Sequence, residues 1–263
     1  MKIAQKAMMH TPIKFAVPLA TADEPSCGSA LPMHTSMKFA VPLASALLLA
    51  ACASGPKTPD WQLEAKGAME RSVAAYMEGN SRVELAELAR ARSQLSRTGR
   101  ADLLATAELL HCATRVASLV FEPCAGFEKL RQDAAPAERA YADYLRGQLQ
   151  PQGIALLPPQ QRAAAAGDAG AVKGMADPLS QLVAAGLLLQ SGKASPAVIA
   201  QATDSASSQG WRRPLLAWLG LQAQRAEQGG DADEAARLRR RIALTEHAPA
   251  SALPPKEAVK ESK

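Results

Sequence analysis

Between Asp60 and Thr245 the chain repeats one pattern: apolar residues at three- and four-residue spacing, then a short break, most often built on glycine. The glycine breaks are Gly79-Asn80, Ser96-Arg97-Thr98-Gly99, Gly192, Gly210 and Gly229-Gly230. Spacing of this kind puts the apolar side chains on one face of a helix. Alternating runs of Val, Ile, Thr and Tyr are missing, so no segment reads as a strand. Breaks this short leave consecutive helices side by side and antiparallel. The expectation is an all-α fold of stacked antiparallel helical hairpins, either a solenoid or an irregular bundle. Composition agrees: the chain is 48% hydrophobic but only 4% aromatic. Alanine and leucine, both strong helix formers, carry the difference.

The expected helices follow from the breaks. The first runs from Asp60, as N-cap, to Glu78, with Trp61, Ala65, Ala68, Met69, Ser72, Val73 and Tyr76 inside. The second covers Ser81 to Leu95, with Val83, Leu85, Leu88, Ala89 and Ala91 inside, and Ser81 with Glu84 as a capping box. The third covers Ala101 to Ala117 and is apolar on two sides, as a helix between neighbours is. A fourth element starts at Pro123, and a fifth helix spans Pro136 to Gln148. The alanine-rich stretch 160–174, with its three glycines, suits a short helix and a loop. Asp177-Pro178 and Ser195-Pro196 open two further helices, to Gln190 and Ser207. Helices from Arg213 to Glu227 and from Asp231 to Thr245 complete a domain over 60–246. The Pro- and Lys/Glu-rich tail, 247–263, reads as disordered.

The N-terminal region is of another kind. Met37-Lys38 opens a run that ends in Leu49-Ala50-Ala51-Cys52. The apolar part is shorter than the ~20 residues a membrane-spanning helix needs. A basic start, an apolar middle and a small-residue end fit a secretory signal. The ending resembles the lipobox of bacterial lipoproteins. That resemblance implies a signal peptide at 37–51, lipid on Cys52 as the first mature residue, and a tether over 52–59. Ala53 after the cysteine points to the periplasmic face of the outer membrane. Residues 1–36 hold a near copy of the same stretch, Lys14-Phe15-Ala16-Val17-Pro18-Leu19-Ala20, without its apolar continuation. They read as a duplicated leader, with translation expected to begin at Met37.

Charge and cysteine content follow from this division. The formal net charge is +5, but the leader carries an excess of lysine, and the rest is near neutrality. That is weak ground for a nucleic-acid partner, and none is expected. Beyond the leader and Cys52 the chain holds Cys112 and Cys124, an even pair suited to an oxidising compartment. A disulfide between them is expected on one condition. A bridge needs Cα atoms within ~7 Å. The third helix must therefore stop soon after Arg115, or residues 118–123 must double back.

The helix pairs share a further pattern. Ala185 and Leu188 precede Gly192, and Ala197 follows; Ala223 and Ala226 precede Gly230-Asp231, and Ala235 follows. Ser72 and Ala75 precede Gly79-Asn80, with Leu85 or Ala86 after. A small residue on the first helix lets the second approach, and the glycine turns the chain. This resembles the tetratricopeptide repeat, of period ~34 residues, most clearly over 177–245. Leu219 and Ala226 stand where that family has its aromatic residues.

Catalytic and metal-binding signatures are weak. His111 adjoins Cys112, but neighbours in a helix point ~100° apart, so His111 reads as a core or edge residue. No metal-ligand spacing, nucleophile elbow or phosphate loop occurs. Glu84 and Glu87 read as surface partners of Arg90 and Arg92. Arg237, Arg239, Arg240 and Arg241 form a basic cluster that is either a solvated face or a contact for an acidic partner or lipid headgroups. No catalytic residue, cofactor or metal is expected. The sequence suggests a lipid-anchored periplasmic adaptor that holds a protein partner in the cell envelope. The alternatives are a peptidoglycan-processing enzyme or activator and a structural envelope lipoprotein.

Overall fold

The computed structural model describes residues 58–247. The leader, Cys52, most of the tether and the tail from Ala248 lie outside the described residues, and with them the expectations placed there. The helices are α1 (Asp60–Glu78), α2 (Ser81–Ser96), α3 (Ala101–Ala117), α4 (Ala125–Glu128), α5 (Pro136–Leu145) and α6 (Pro159–Ala165). They continue with α7 (Pro178–Gln190), α8 (Pro196–Ser208), α9 (Arg212–Gln228) and α10 (Ala232–His247). Two 3-10 turns, Pro151–Leu156 and Ala169–Gly174, flank α6. No strand occurs among the described residues.

Most boundaries fall where the breaks put them, and the exceptions have local causes. Asp60 is not a cap, because Pro59 holds that position and no side chain bonds there. At α2 the cap is Asn80, whose side chain accepts from the Val83 amide at 3.2 Å. Ser81 is thus the first helical residue, and Glu84 is free to point elsewhere. The fourth element starts at Ala125 rather than Pro123. Helix α5 stops at Leu145 because Gly147, at φ 68°, turns the chain. Asp177 and Ser195 cap α7 and α8 as expected, accepting from the Ser180 and Val198 amides.

The hairpins α1–α2 and α9–α10 stack through their small-residue faces. Five helices close into a circuit: α1 packs on α3, α3 on α7, α7 on α8, α8 on α9, and α9 returns to α1, while α4 and α5 pack on α3 and α6 packs on α7. In an open solenoid each repeat touches only its neighbours. Here the first helix touches the next-to-last one, so the arrangement is an irregular closed bundle. Helix α2 lies outside the circuit against α1 and α3, and α10 lies outside against α9. The main core runs through the circuit, with Tyr76, Val116, Phe127, Tyr144, Leu182 and Trp218. A satellite core of Ala65, Ala68, Met69, Leu88, Ala91 and Leu95 fills the first hairpin.

Directional bonds tie the layers. The Trp218 indole of α9 donates to the Ala117 carbonyl at the end of α3, at 3.1 Å. The Tyr144 hydroxyl of α5 donates to Gln161 of α6 at 2.9 Å, and Gln161 donates to the Ser180 carbonyl of α7 at 3.0 Å.

Helices α7 and α3 approach closely at Gly186. A Cβ on Gly186 would lie 2.8 Å from the Val116 carbonyl oxygen, and a backbone atom cannot swing aside. Gly186→Ala is expected to destabilise the domain by ~1–3 kcal/mol, the usual cost of overpacking. That outweighs the gain of up to ~1 kcal/mol from alanine in a helix. Gly220→Ala on α9, where nothing lies within 4 Å, should show only the gain. Urea unfolding midpoints of the two variants check this.

Candidate functional site

Four helices meet around one buried carboxylate. The buried face of α2 is Glu84, Leu88, Ala91 and Leu95; of the residues expected inside, Leu88 and Ala91 are buried, Val83 is half-buried, and Leu85 and Ala89 are exposed. Leu85 is 55% exposed. Glu84, expected on the surface beside Arg90 and Arg92, is 1% exposed. Its partners come from α3. The Arg115 Nη2 donates to Glu84 Oε1 at 2.7 Å, and His111 Nε2 lies 3.2 Å from the same oxygen. A charge this deep persists only when paired.

The contact between the two α3 partners fixes a tautomer. His111 Nε2 is 2.9 Å from Arg115 Nη2. A guanidinium has donors only, so this shorter contact has Nε2 accept, with the proton of a neutral imidazole on Nδ1; the 3.2 Å approach to Glu84 Oε1 then sets two acceptors face to face and is not a hydrogen bond. Burial pushes the His111 pKa below its usual 6.5, and Arg115 adds to this; Glu84 and Glu108 oppose it more weakly, and Arg92 adds a small push down.

The cluster extends into α1 and α9. The Ser72 hydroxyl of α1 donates to the Glu84 carbonyl at 3.1 Å. The Arg115 guanidinium lies over the Tyr76 ring of α1, 4.4 Å from its centre. Arg213 of α9 lies over the same ring at 4.2 Å and donates to Ser81 Oγ of α2 at 2.8 Å. Such cation–ring contacts gain strength when desolvated.

A second buried acid, Glu108 of α3, is held by Arg92 of α2 through two bonds. Helix α4 lies so close that a Cβ on Gly126 would run into this carboxylate. Two buried acids thus bridge α2 and α3, each paired with an arginine on the facing helix. Glu87 pairs with Arg90 as expected, but its other partner is Arg71 of α1, and its side chain is largely covered between them.

Cys112 and Cys124 form a disulfide with Cα atoms 5.8 Å apart. The condition read from the sequence is met by the backbone. Helix α3 ends at Ala117, and the chain turns back at Leu119, at φ 61°. The Leu119 amide bonds the Val116 carbonyl and the Val120 amide bonds the Arg115 carbonyl, both at 3.0 Å. This is a Schellman ending with leucine where glycine is usual. With Cys112 bridged, His111 and Cys112 are not a base and its nucleophile.

The basic cluster is partly neutralised. Arg237 pairs with Glu234, and Arg239 with Glu227 at 2.6 Å. Arg240 is exposed and Arg241 half-buried, and neither forms a salt bridge among the described residues. A surface hollow lined by Asp143, Gly147, Gln148, Leu149 and Gln150 holds one ionisable side chain. That side chain, Asp143, is salt-bridged to Arg131 at 2.9 Å. Among the described residues no group of three or more His, Cys, Asp or Glu could hold a metal. No helix there is long and apolar enough to cross a membrane.

Comparison with protein-family models, with curated proteins and with solved structures finds no match to this chain.

The buried pair carries the first prediction here. Arg115→Ala leaves Glu84 in the interior without its guanidinium and should cost ~3–5 kcal/mol, as breaking buried ion pairs does. Arg237→Ala, in an exposed pair, should leave the urea midpoint unchanged. The disulfide carries the second. The double substitution Cys112→Ser with Cys124→Ser opens a loop of sequence separation 12. It should cost about 3 kcal/mol in the chain-entropy model, and reduction of the parent protein should reproduce the loss.

Proposed function

We propose that the protein is lipid-anchored at Cys52 on the periplasmic face of the outer membrane. There it acts as a protein–protein interaction adaptor with no catalysis of its own. The observation that carries this reading is the Leu49-Ala50-Ala51-Cys52 ending behind a basic start and an apolar run. The Cys112–Cys124 disulfide supports it, since such bridges persist in oxidising compartments. The position of α1 supports it too. Its first residue, Asp60, lies soon after Cys52, and an extended chain covers at most ~3.6 Å per residue. A lipid on Cys52 would therefore hold the domain at the bilayer surface.

Partner contact falls to α2 and α10, the outer helices of the first and last hairpins. Helix α2 presents Leu85, and α10 presents Leu244, which is 75% exposed. On α10 the cluster Arg237, Arg239, Arg240 and Arg241 would meet an acidic partner surface. Arg240 is the most available of the four, being exposed and without a salt bridge among the described residues.

Two measurements test this reading. Cys52→Ala should abolish incorporation of labelled palmitate and move the protein from the membrane fraction to the soluble one. Equal labelling of the two forms would overturn the anchor. A photo-crosslinking residue at position 240 should capture one reproducible membrane-fraction protein. Arg240→Glu, with the crosslinker moved to position 244, should lose it. Absence of any crosslink from either position would overturn the adaptor.

A further inference from the structure

The cluster around Glu84 has a proton-dependent alternative built into its bonding. His111 is faced by Glu84 and Arg92 from α2 and by Glu108 and Arg115 from α3. Across Arg115 lie Tyr76 of α1 and, over the same ring, Arg213 of α9. One oxygen, Glu84 Oε1, accepts from Arg115 and lies 3.2 Å from the unprotonated His111 Nε2, where two acceptors face each other until a proton arrives. The other, Oε2, is buried and has no hydrogen-bond partner among the described residues. A buried acceptor without a partner costs free energy, so it is a ready landing place for a displaced donor.

We infer that His111 is a pH-sensitive pivot for the joint between the first hairpin and the rest of the bundle. When Nε2 takes a proton it changes from acceptor to donor. It then donates to Glu84 Oε1, and its contact with Arg115 Nη2 becomes donor against donor. Arg115 moves to Glu84 Oε2, and its guanidinium shifts over the Tyr76 ring that α1 shares with Arg213. The proton comes from solvent, which reaches the ring because the His111 side chain is 21% exposed. No other atom is gained or lost.

The sign of the pH effect follows from the direction of the His111 shift. Its folded-state pKa lies below the unfolded value of 6.5. Above 6.5 both states are neutral and the group has no effect. As the pH falls below 6.5 the unfolded chain binds the proton first, and the fold loses stability until His111 itself titrates. The pivot therefore moves on the acid side of neutrality. It is independent of where the chain is anchored and of what it binds.

NMR on the full chain labelled at histidine and tyrosine tests the inference. His111 is assigned by the signal missing from His111→Gln, and Tyr76 by the one missing from Tyr76→Phe. The expected result is a His111 midpoint below 6.5 and a Tyr76 ring shift that moves in the same step. Tyr141 and Tyr144 should stay unmoved. In His111→Gln the Tyr76 step should vanish. A Tyr76 signal that stays flat while His111 titrates would overturn the pivot. So would a Tyr76 step that survives in His111→Gln, which would assign it to a carboxylate. A His111 that does not titrate before acid unfolding would overturn it as well. Through-bond assignment of the His111 and Tyr76 rings in the unsubstituted protein serves the first and last of these outcomes, so a variant that fails to fold does not remove the test.

Discussion

A carboxylate taken out of water is the constraint around which this bundle is arranged. Even after relaxation, burying one ion costs several kcal/mol unless its partners are well placed. Glu84 keeps its ion pair only if α3 stands in one register against α2, with Arg115 at its level. Arg115 in turn lies on Tyr76, and Tyr76 receives Arg213 from the far end of the chain. The position of one acid thus couples α1, α2, α3 and α9. The return of α9 to α1, which closes the circuit, occurs through this same set of side chains.

The other constraints converge on the last two turns of α3. Cys112 carries the disulfide that brings α4 back. Arg115 pairs with Glu84, while the Val116 carbonyl marks the close approach of α7. The Ala117 carbonyl takes the Trp218 indole of α9. A left-handed Leu119, which costs a non-glycine residue ~1–2 kcal/mol, ends the helix where all these contacts need it to end. The bridge five residues on helps hold that turn. Helix α3 is therefore the axle of the fold, although it is only the third of the ten α-helices among the described residues.

Helix positions were legible because glycine breaks and helical spacing are local signals. Asp177-Pro178 and Ser195-Pro196 are local in the same way. Long-range pairing was not legible, because nothing in the spacing of α1 says that it meets α9. The inward face of α2 was misjudged for a definite reason. Glu84 lies four residues before Leu88 and seven before Ala91, so it sits in the apolar stripe itself. Read as a surface residue, it left the stripe holding Leu88 and Ala91 correctly but adding Val83, Leu85 and Ala89 in its place. A charge at a core position of a helix signals an opposite charge on a facing helix, and Arg115 was the missing half. The turn at Leu119 had no signal of its own, since the residue that would announce it, glycine, is absent. Only the bridging distance for Cys112 and Cys124 pointed to it.

The low aromatic content explains why polar contacts carry so much of the specificity. Faces built from alanine and leucine, such as Ala65, Ala68, Leu88 and Ala91, pack closely but are smooth. One helix turn of slip changes their buried area little. Directional bonds do not tolerate such a slip. Moving α2 by 5.4 Å, the pitch of one turn, would leave Glu84 among apolar side chains and Arg115 without its acid. The same displacement of α9 would part Trp218 from the Ala117 carbonyl and Arg213 from Tyr76. Apolar burial holds these helices together, and a few buried polar atoms decide at what height they stand. A proton on His111 acts on the second of these terms while leaving the first intact, so its expected effect is a shift at the joint rather than collapse of the core.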